Sequence, residues 1–389
     1  MRLLCRSCAV LLLAWPACAR ALPPEMDRHL QGALDSLYCM QFSSAEAQVK
    51  LAMAVEPEHP YGPFGLAAVS MIKYVYGTEQ SDPALLAAFT KQTEEALDAG
   101  TAWVKKHPQD AEGFMALGAA YGVSSRLLTV RRQWILAYWR ARKAVGYLQK
   151  ATQLDPEMGD PYLGLGMYDY YSDAYPRFVR VLAKLLLRGN RARGVAELRR
   201  SSEKGSFSQI VSKMILTEIF LEDQWGLRNP QEAVKLSAEV RQRYPDSAMI
   251  LDIDFVARYE AGEYEALLPD LEQFLERARQ GRYDSLQLAK GLVIKATTLW
   301  AWQKPEEALK TFADAAAVKP EGKVSRWGVW AQIRAGNLLD SLGRREEAVA
   351  LYKAAAAEPD LWDLRQFAKA GLHEAFQQPS PGHISPFGA

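Results

Sequence analysis

Histidine, the side chain most used in acid–base and metal chemistry at neutral pH, is scarce in this chain. There are five histidines: His29, His59, His107, His373 and His383. A zinc hydrolase needs two histidines one helical turn apart with a glutamate beside them, and no HExxH or HxH spacing occurs. His59 and His107 stand next to Pro60 and Pro108, where a polar surface residue is expected. Asp252 and Asp254 are two apart, so on a helix they point to different sides and cannot share a cation. The GxSxG elbow of a serine nucleophile and the Walker loop for phosphates are both missing. Gly164-Leu165-Gly166 lacks the third glycine and the preceding strand of a dinucleotide site, so its small residues read as close helix packing. No catalytic, cofactor-binding or metal-binding residue is assigned, and no cofactor is expected. The expectation is a non-enzymatic chain; a site assembled from acids and histidines of several distant segments is the lesser alternative.

Binding chemistry is better represented. Asp169, Tyr170, Tyr171, Asp173 and Tyr175 form the densest polar-aromatic cluster, readable as a groove lining or as ordinary packing with tyrosine hydroxyls satisfied by the acids. Formal net charge is only +1, which gives no global field for nucleic acid. Local charge is uneven. Between Gly113 and Leu154 there is no acid, while Arg126, Arg131, Arg132, Arg140, Arg142, Lys143 and Lys150 are present. Between Ala174 and Ala196 acids are again absent, and Arg177, Arg180, Lys184, Arg188, Arg191 and Arg193 occur. Arg177, Arg180, Lys184 and Arg188 follow helical spacing on one face and Phe178, Val181, Leu182 and Leu185 on another, the pattern of a basic amphipathic helix. From 222 to 280 acids outnumber bases, so charge is polarised along the chain. The basic surface has three readings: a solvated face over a buried stripe, a site for a protein or acidic peptide, or contact with anionic lipid headgroups. Candidate partner contacts are Tyr121, Arg131, Arg132, Tyr168, Tyr171, Arg177, Arg180, Lys184, Arg188, Arg191 and Arg193.

The elements that must hold these residues are helices with a long period. Phe114, Leu117, Gly118 and Tyr121 recur at helical spacing, followed by Ala144, Leu148, Ala151 and Pro156. This is the tetratricopeptide pattern, in which small residues let two helices approach and proline ends the second. Tyr121 and Ala144 are farther apart than a standard unit allows, so a helical insert of about 14 residues is required between them. Phe64, Phe114 and Tyr162 open three such lengthened units, about 50 residues apart. An earlier helix carries Ala45, Val49, Ala52 and Pro57. Later, shorter units are marked by Ala233, Val240 and Pro245; by Ala308, Phe312, Ala315 and Pro320; and by Gly343, Ala348, Tyr352 and Ala355. Asp82-Pro83, Asp160-Pro161 and Asn229-Pro230 read as helix caps, and Ser43 with Glu46 has capping-box spacing.

The first 21 residues read as a secretory signal peptide. Arg2 and Arg6 precede the apolar run Ala9 to Trp15, and Ala17-Cys18-Ala19 or Ala19-Arg20-Ala21 offers a cleavage site. The mature chain is expected to be periplasmic or secreted, with a lipoprotein anchored through Cys18 as the alternative. Cleavage leaves Cys39 as the one cysteine, without a disulfide partner.

Around Gly164-Leu165-Gly166-Met167-Tyr168, Tyr175-Pro176-Arg177 and Gly189 to Gly194, with Leu198 after them, the chain resembles tetratricopeptide-repeat proteins related to the inclusion body clearance family. The likeness runs over roughly 30 to 220, departs at Asn190 and Val195, and fits a bacterial exported relative. It implies an α-helical repeat fold and a non-enzymatic role. The reading is an all-α, right-handed helical-repeat superhelix: signal peptide 1–21, lengthened repeats 22–205, shorter repeats 206–377 and a Pro-, Gly- and Ser-rich tail 378–389 expected to be disordered. The first helix of each pair would line a concave face that holds a peptide or partner protein. A membrane-associated assembly factor is the alternative.

Overall fold

The computed structural model describes residues 22–172, 189–222, 227–378 and 380–385. Among these residues there are seventeen α-helices and no strand. In chain order they are α1 Pro24–Tyr38, α2 Phe42–Val55, α3 Tyr61–Ile72, α4 Pro83–Lys106, α5 Ala111–Val130, α6 Trp134–Leu154, α7 Pro161–Tyr171 and α8 Arg191–Lys204. Then follow α9 Gln209–Leu221, α10 Pro230–Arg243, α11 Ala248–Glu260, α12 Tyr264–Arg279, α13 Ser285–Ala301, α14 Pro305–Ala317, α15 Arg326–Ser341, α16 Arg345–Ala357 and α17 Arg365–His373. None of the described helices is long and apolar enough to cross a membrane. The expected signal peptide lies outside the described residues.

Two compact units divide the chain. One comprises residues up to Ala33 with Glu46–Gly194; the other comprises Leu34–Ala45 with Val195 onward.

In the first unit the extra length lies in the helices themselves. α5 has 20 residues and α6 has 21, against 13 each for α14 and α16. The required insert is therefore additional turns on both arms of a hairpin. Leu148 on α6 is 2% exposed and fills the gap beside Gly118 and Gly164. At the α7–α8 crossing a Cβ on Gly194 would sit 2.7 Å from the Gly166 carbonyl oxygen. The small residues of this segment serve close helix packing, as the sequence suggests. α3 ends in a π turn, Lys73–Gly77, whose Tyr74 is buried beside Phe89, Val123 and Leu127.

In the second unit the shorter hairpins bury one stripe each. Ala308, Phe312 and Ala315 on α14, and Ala348, Tyr352 and Ala355 on α16, are all at most 2% exposed. Leu34–Ala45 joins this unit through Asp35, which accepts from the Tyr244 hydroxyl at 2.6 Å, and through the Tyr38 carbonyl, which accepts from Ser247.

Caps follow the sequence in part. Asp82 accepts from the backbone of Ala84 and Leu85, and Asn229 from that of Glu232. Asp160 does not cap α7: its own backbone is helical, with φ −60° and ψ −39°, which turns its side chain away from the exposed amides. Ser43 lies inside α2, which opens one residue earlier at Phe42. Residues 380–385 lie on the second unit, where Ile384 is 3% exposed and buried donors meet the tail's carbonyls.

Candidate partner-binding surfaces

The tip of the α5–α6 hairpin is both basic and apolar. Ile135, Leu136 and Trp139 on the first turns of α6 are 59%, 47% and 53% exposed. Arg131 and Arg132 immediately precede them and are both exposed, Arg132 in the left-handed turn at φ 58° that carries the chain from α5 into α6. Arg131 donates to Thr90 on α4 at 2.8 Å, which steadies the tip. Exposed large apolar side chains this close together mark contact surfaces more often than chance.

Tyr121 is positioned differently from its assigned role. It is 7% exposed, stacks on Tyr147 at 5.4 Å and lies beneath Arg140 and Lys143. Arg140 also pairs with Glu94 at 3.6 Å. Tyr121 therefore supports the basic side chains from below. Tyr168 packs against Tyr138, and Tyr171 meets the buried Tyr170 edge-on at 4.9 Å. Arg193 is committed elsewhere: its Nε and Nη2 both donate to the carboxylate of Asp169, which is 6% exposed. Arg191 begins α8 and is half-buried. Arg177, Arg180, Lys184 and Arg188, with the amphipathic helix read from them, lie outside the described residues.

A second cluster in this unit is missed by sequence spacing. The Tyr61 hydroxyl donates to Glu112 Oε2 at 2.7 Å, and the Trp103 indole donates to Asp110 at 2.6 Å. His59, expected at the surface, is 2% exposed, stacked on Tyr61 and edge-on to Trp103. Its Nδ1 accepts from the Tyr61 backbone N–H at 3.3 Å. Burial pushes the Glu112 carboxyl up to about 7; the Tyr61 hydrogen bond opposes this, while Asp160, Asp110 and Asp155 add to it.

In the second unit Asp252 and Asp254 serve opposite neighbours. Asp252 pairs with Lys290 at 2.8 Å, and Asp254 with Arg241 at 2.8 Å. Arg241 and Arg258 also share Asp270. This network forms one wall of an open groove of about 410 Å³ between α10 and α11, lined also by Val234, Ala238 and Pro245. Its charges are paired, so it stiffens the hairpins. Among the described residues no group of three or more His, Cys, Asp or Glu could hold a metal ion.

Successive helix pairs with small residues at their crossings make this an all-α helical-repeat chain. No family model matches it, and no curated protein does. Several solved structures are similar. A thermophilic TPR protein of Thermus thermophilus has 19% identity and a TM-score of 0.35 over 58% of this chain and 94% of that one. Yeast Tom70 has 10% identity and a TM-score of 0.41 over 90% and 89%. A tetratricopeptide repeat protein from Parabacteroides merdae has 15% identity and a TM-score of 0.31 over 76% and 94%.

Proposed function

We propose that this chain is a non-enzymatic scaffold that binds an acidic protein partner in the cell envelope, through the tip of its α5–α6 hairpin. The observation that carries this reading is the exposed Ile135, Leu136 and Trp139 beside Arg131 and Arg132, in a stretch without a single acid from Gly113 to Leu154. Trp and Arg are the side chains that give most binding energy when desolvated together, and opposite charge on the partner speeds encounter. The envelope setting rests on the N-terminal charge-then-apolar pattern.

The test is a cross-linking capture from the native envelope, using the wild-type chain and a Trp139→Ala, Arg131→Glu, Arg132→Glu variant. Partners held by the wild type should be lost by the variant; equal recovery by both would remove the tip from the argument. Trp139 beside two arginines also suits a lipid interface, which gives a second reading. Co-sedimentation with anionic but not zwitterionic vesicles, abolished by the same changes, would favour it over a protein partner.

A further inference from the structure

The second unit holds an extended segment of its own chain, in a manner suited to ligand exchange. The first helices of three successive hairpins, α11, α13 and α15, contribute Tyr259, Trp300 and Trp330, all at most 5% exposed. Among them lies Arg334, 4% exposed, its guanidinium 5.0 Å from the Trp300 ring centre and 5.5 Å from that of Trp330. Arg334 forms no ion pair among the described residues. A buried cation without a carboxylate is costly unless other groups solvate it. Here they are two aromatic faces and one backbone carbonyl, that of Pro381. The Tyr259 hydroxyl donates to the Gly382 carbonyl at 2.6 Å, and the Trp330 indole to that of Ile384 at 2.7 Å. His383 Nδ1 lies 3.1 Å from Glu260. Gly382 has φ 65°, a turn that glycine takes without strain, and Ile384 enters the core behind it.

All three donors thus read main-chain oxygens, and only His383 and Ile384 are read by side chain. Arg334 Nε has no partner, so the site has a donor to spare. Tyr, Trp and Arg in a desolvated centre are the composition of an interaction hot spot, and main-chain recognition with one anchoring side chain is how grooves hold extended peptides. We propose that this face is a binding site for an extended peptide with a glycine turn followed by a branched apolar residue, and that residues 380–385 occupy it in cis as a built-in competitor. The proposal shares the reading of the chain as a protein-binding scaffold but uses a surface separate from the α5–α6 tip. Tethering close to α17 gives the tail a local concentration of roughly millimolar order, so a partner in trans must bind tightly or arrive with the tail displaced.

The experiment uses a fluorescein-labelled peptide with the sequence of residues 378–389, titrated by polarisation against the full chain and against a chain ending at Gln377. The shortened chain should bind at least tenfold more tightly than the full chain, and Tyr259→Phe or Arg334→Met in the shortened chain should weaken binding severalfold. If circular dichroism shows the shortened chain unfolded, the full chain carrying Gly382→Val and Ile384→Asp replaces it, with hydrogen exchange at 380–385 confirming release. A folded shortened or released chain that binds the peptide no better than the full chain overturns the proposal, as does binding indifferent to both Tyr259 and Arg334. Either failure leaves partner capture by Arg131, Arg132 and Trp139 untouched, because none of them belongs to this site.

Discussion

The Tyr61 hydroxyl and the Glu112 carboxylate meet at 2.7 Å across two successive hairpins, 51 residues apart in the chain. Burial raises this acid from 4.5 to about 7. The folded state therefore holds the proton to higher pH than the unfolded chain does. Stability linked to Glu112 is complete below about pH 4.5 and is lost as pH rises toward 7. A shift of this size corresponds to about 3 kcal/mol at full loss. Glu112→Gln should flatten the fall in melting temperature between pH 5 and pH 8, since the amide never ionises. Parallel pH profiles for variant and wild type would contradict this.

Asp169 and Arg193 make a bidentate pair with the acid buried and the base half-exposed. Removing only the base strands a buried carboxylate, a loss of roughly 2–4 kcal/mol. Arg193→Met should therefore be more destabilising than Asp169→Asn with Arg193→Met, which leaves no charge behind. Urea midpoints of the two variants give the comparison, and the reverse order would show that the pair is unimportant.

A methyl group at Gly194 would meet backbone on α7, with the Gly166 oxygen at 2.7 Å and the Tyr170 nitrogen at 2.8 Å. Neither atom can rotate away, so α7 and α8 must separate. Gly194→Ala should cost about 1–3 kcal/mol, visible as a lower denaturation midpoint. Gly146→Ala, which meets nothing within 4 Å, is the control and should leave the midpoint unchanged or raise it.

Cys39 is exposed, yet its thiol is pushed above its ordinary range by partial burial and by the charges of Asp35 and Asp246. Only the thiolate reacts quickly. Alkylation by iodoacetamide at pH 8 should be slower than for a small free thiol and should accelerate in Asp35→Asn. Labelling at the free-thiol rate in the wild type would contradict the shift.

The helical pairing was legible because its signals are local. Gly118 with Leu148 and Ala348 with Tyr352 are spaced by the helix itself, and proline punctuates the units. The packing role of Gly166 followed from the same logic. What was illegible depends on distance along the chain. Nothing in the spacing pairs Tyr61 with Glu112, or Trp330 with Ile384 across 54 residues. The Pro, Gly and Ser composition of the tail buries little by itself; the donors that meet its carbonyls, Tyr259, Trp330 and Arg334, lie on two distant helices, α11 and α15. The α6 tip was recognised by charge, but the exposure of Trp139 was not, since an apolar residue at helical spacing normally faces inward.

The second unit is interrupted: the chain contributes Leu34–Ala45, leaves for Glu46–Gly194 of the first unit, and returns at Val195. Asp35 is 209 residues from its partner Tyr244. During synthesis these early residues emerge well before anything they bind, while the first unit's local hairpins can already form. Closing so long a loop adds little equilibrium cost, because that cost grows only logarithmically, but it delays completion. The connectivity thus favours an order of assembly: the hairpins of Glu46–Gly194 first, and the docking of Leu34–Ala45 only after Tyr244 and Ser247 have emerged. Tyr38 stays uncovered in the interval, which makes the newly made chain, not the finished one, the form most exposed to chaperones and proteases.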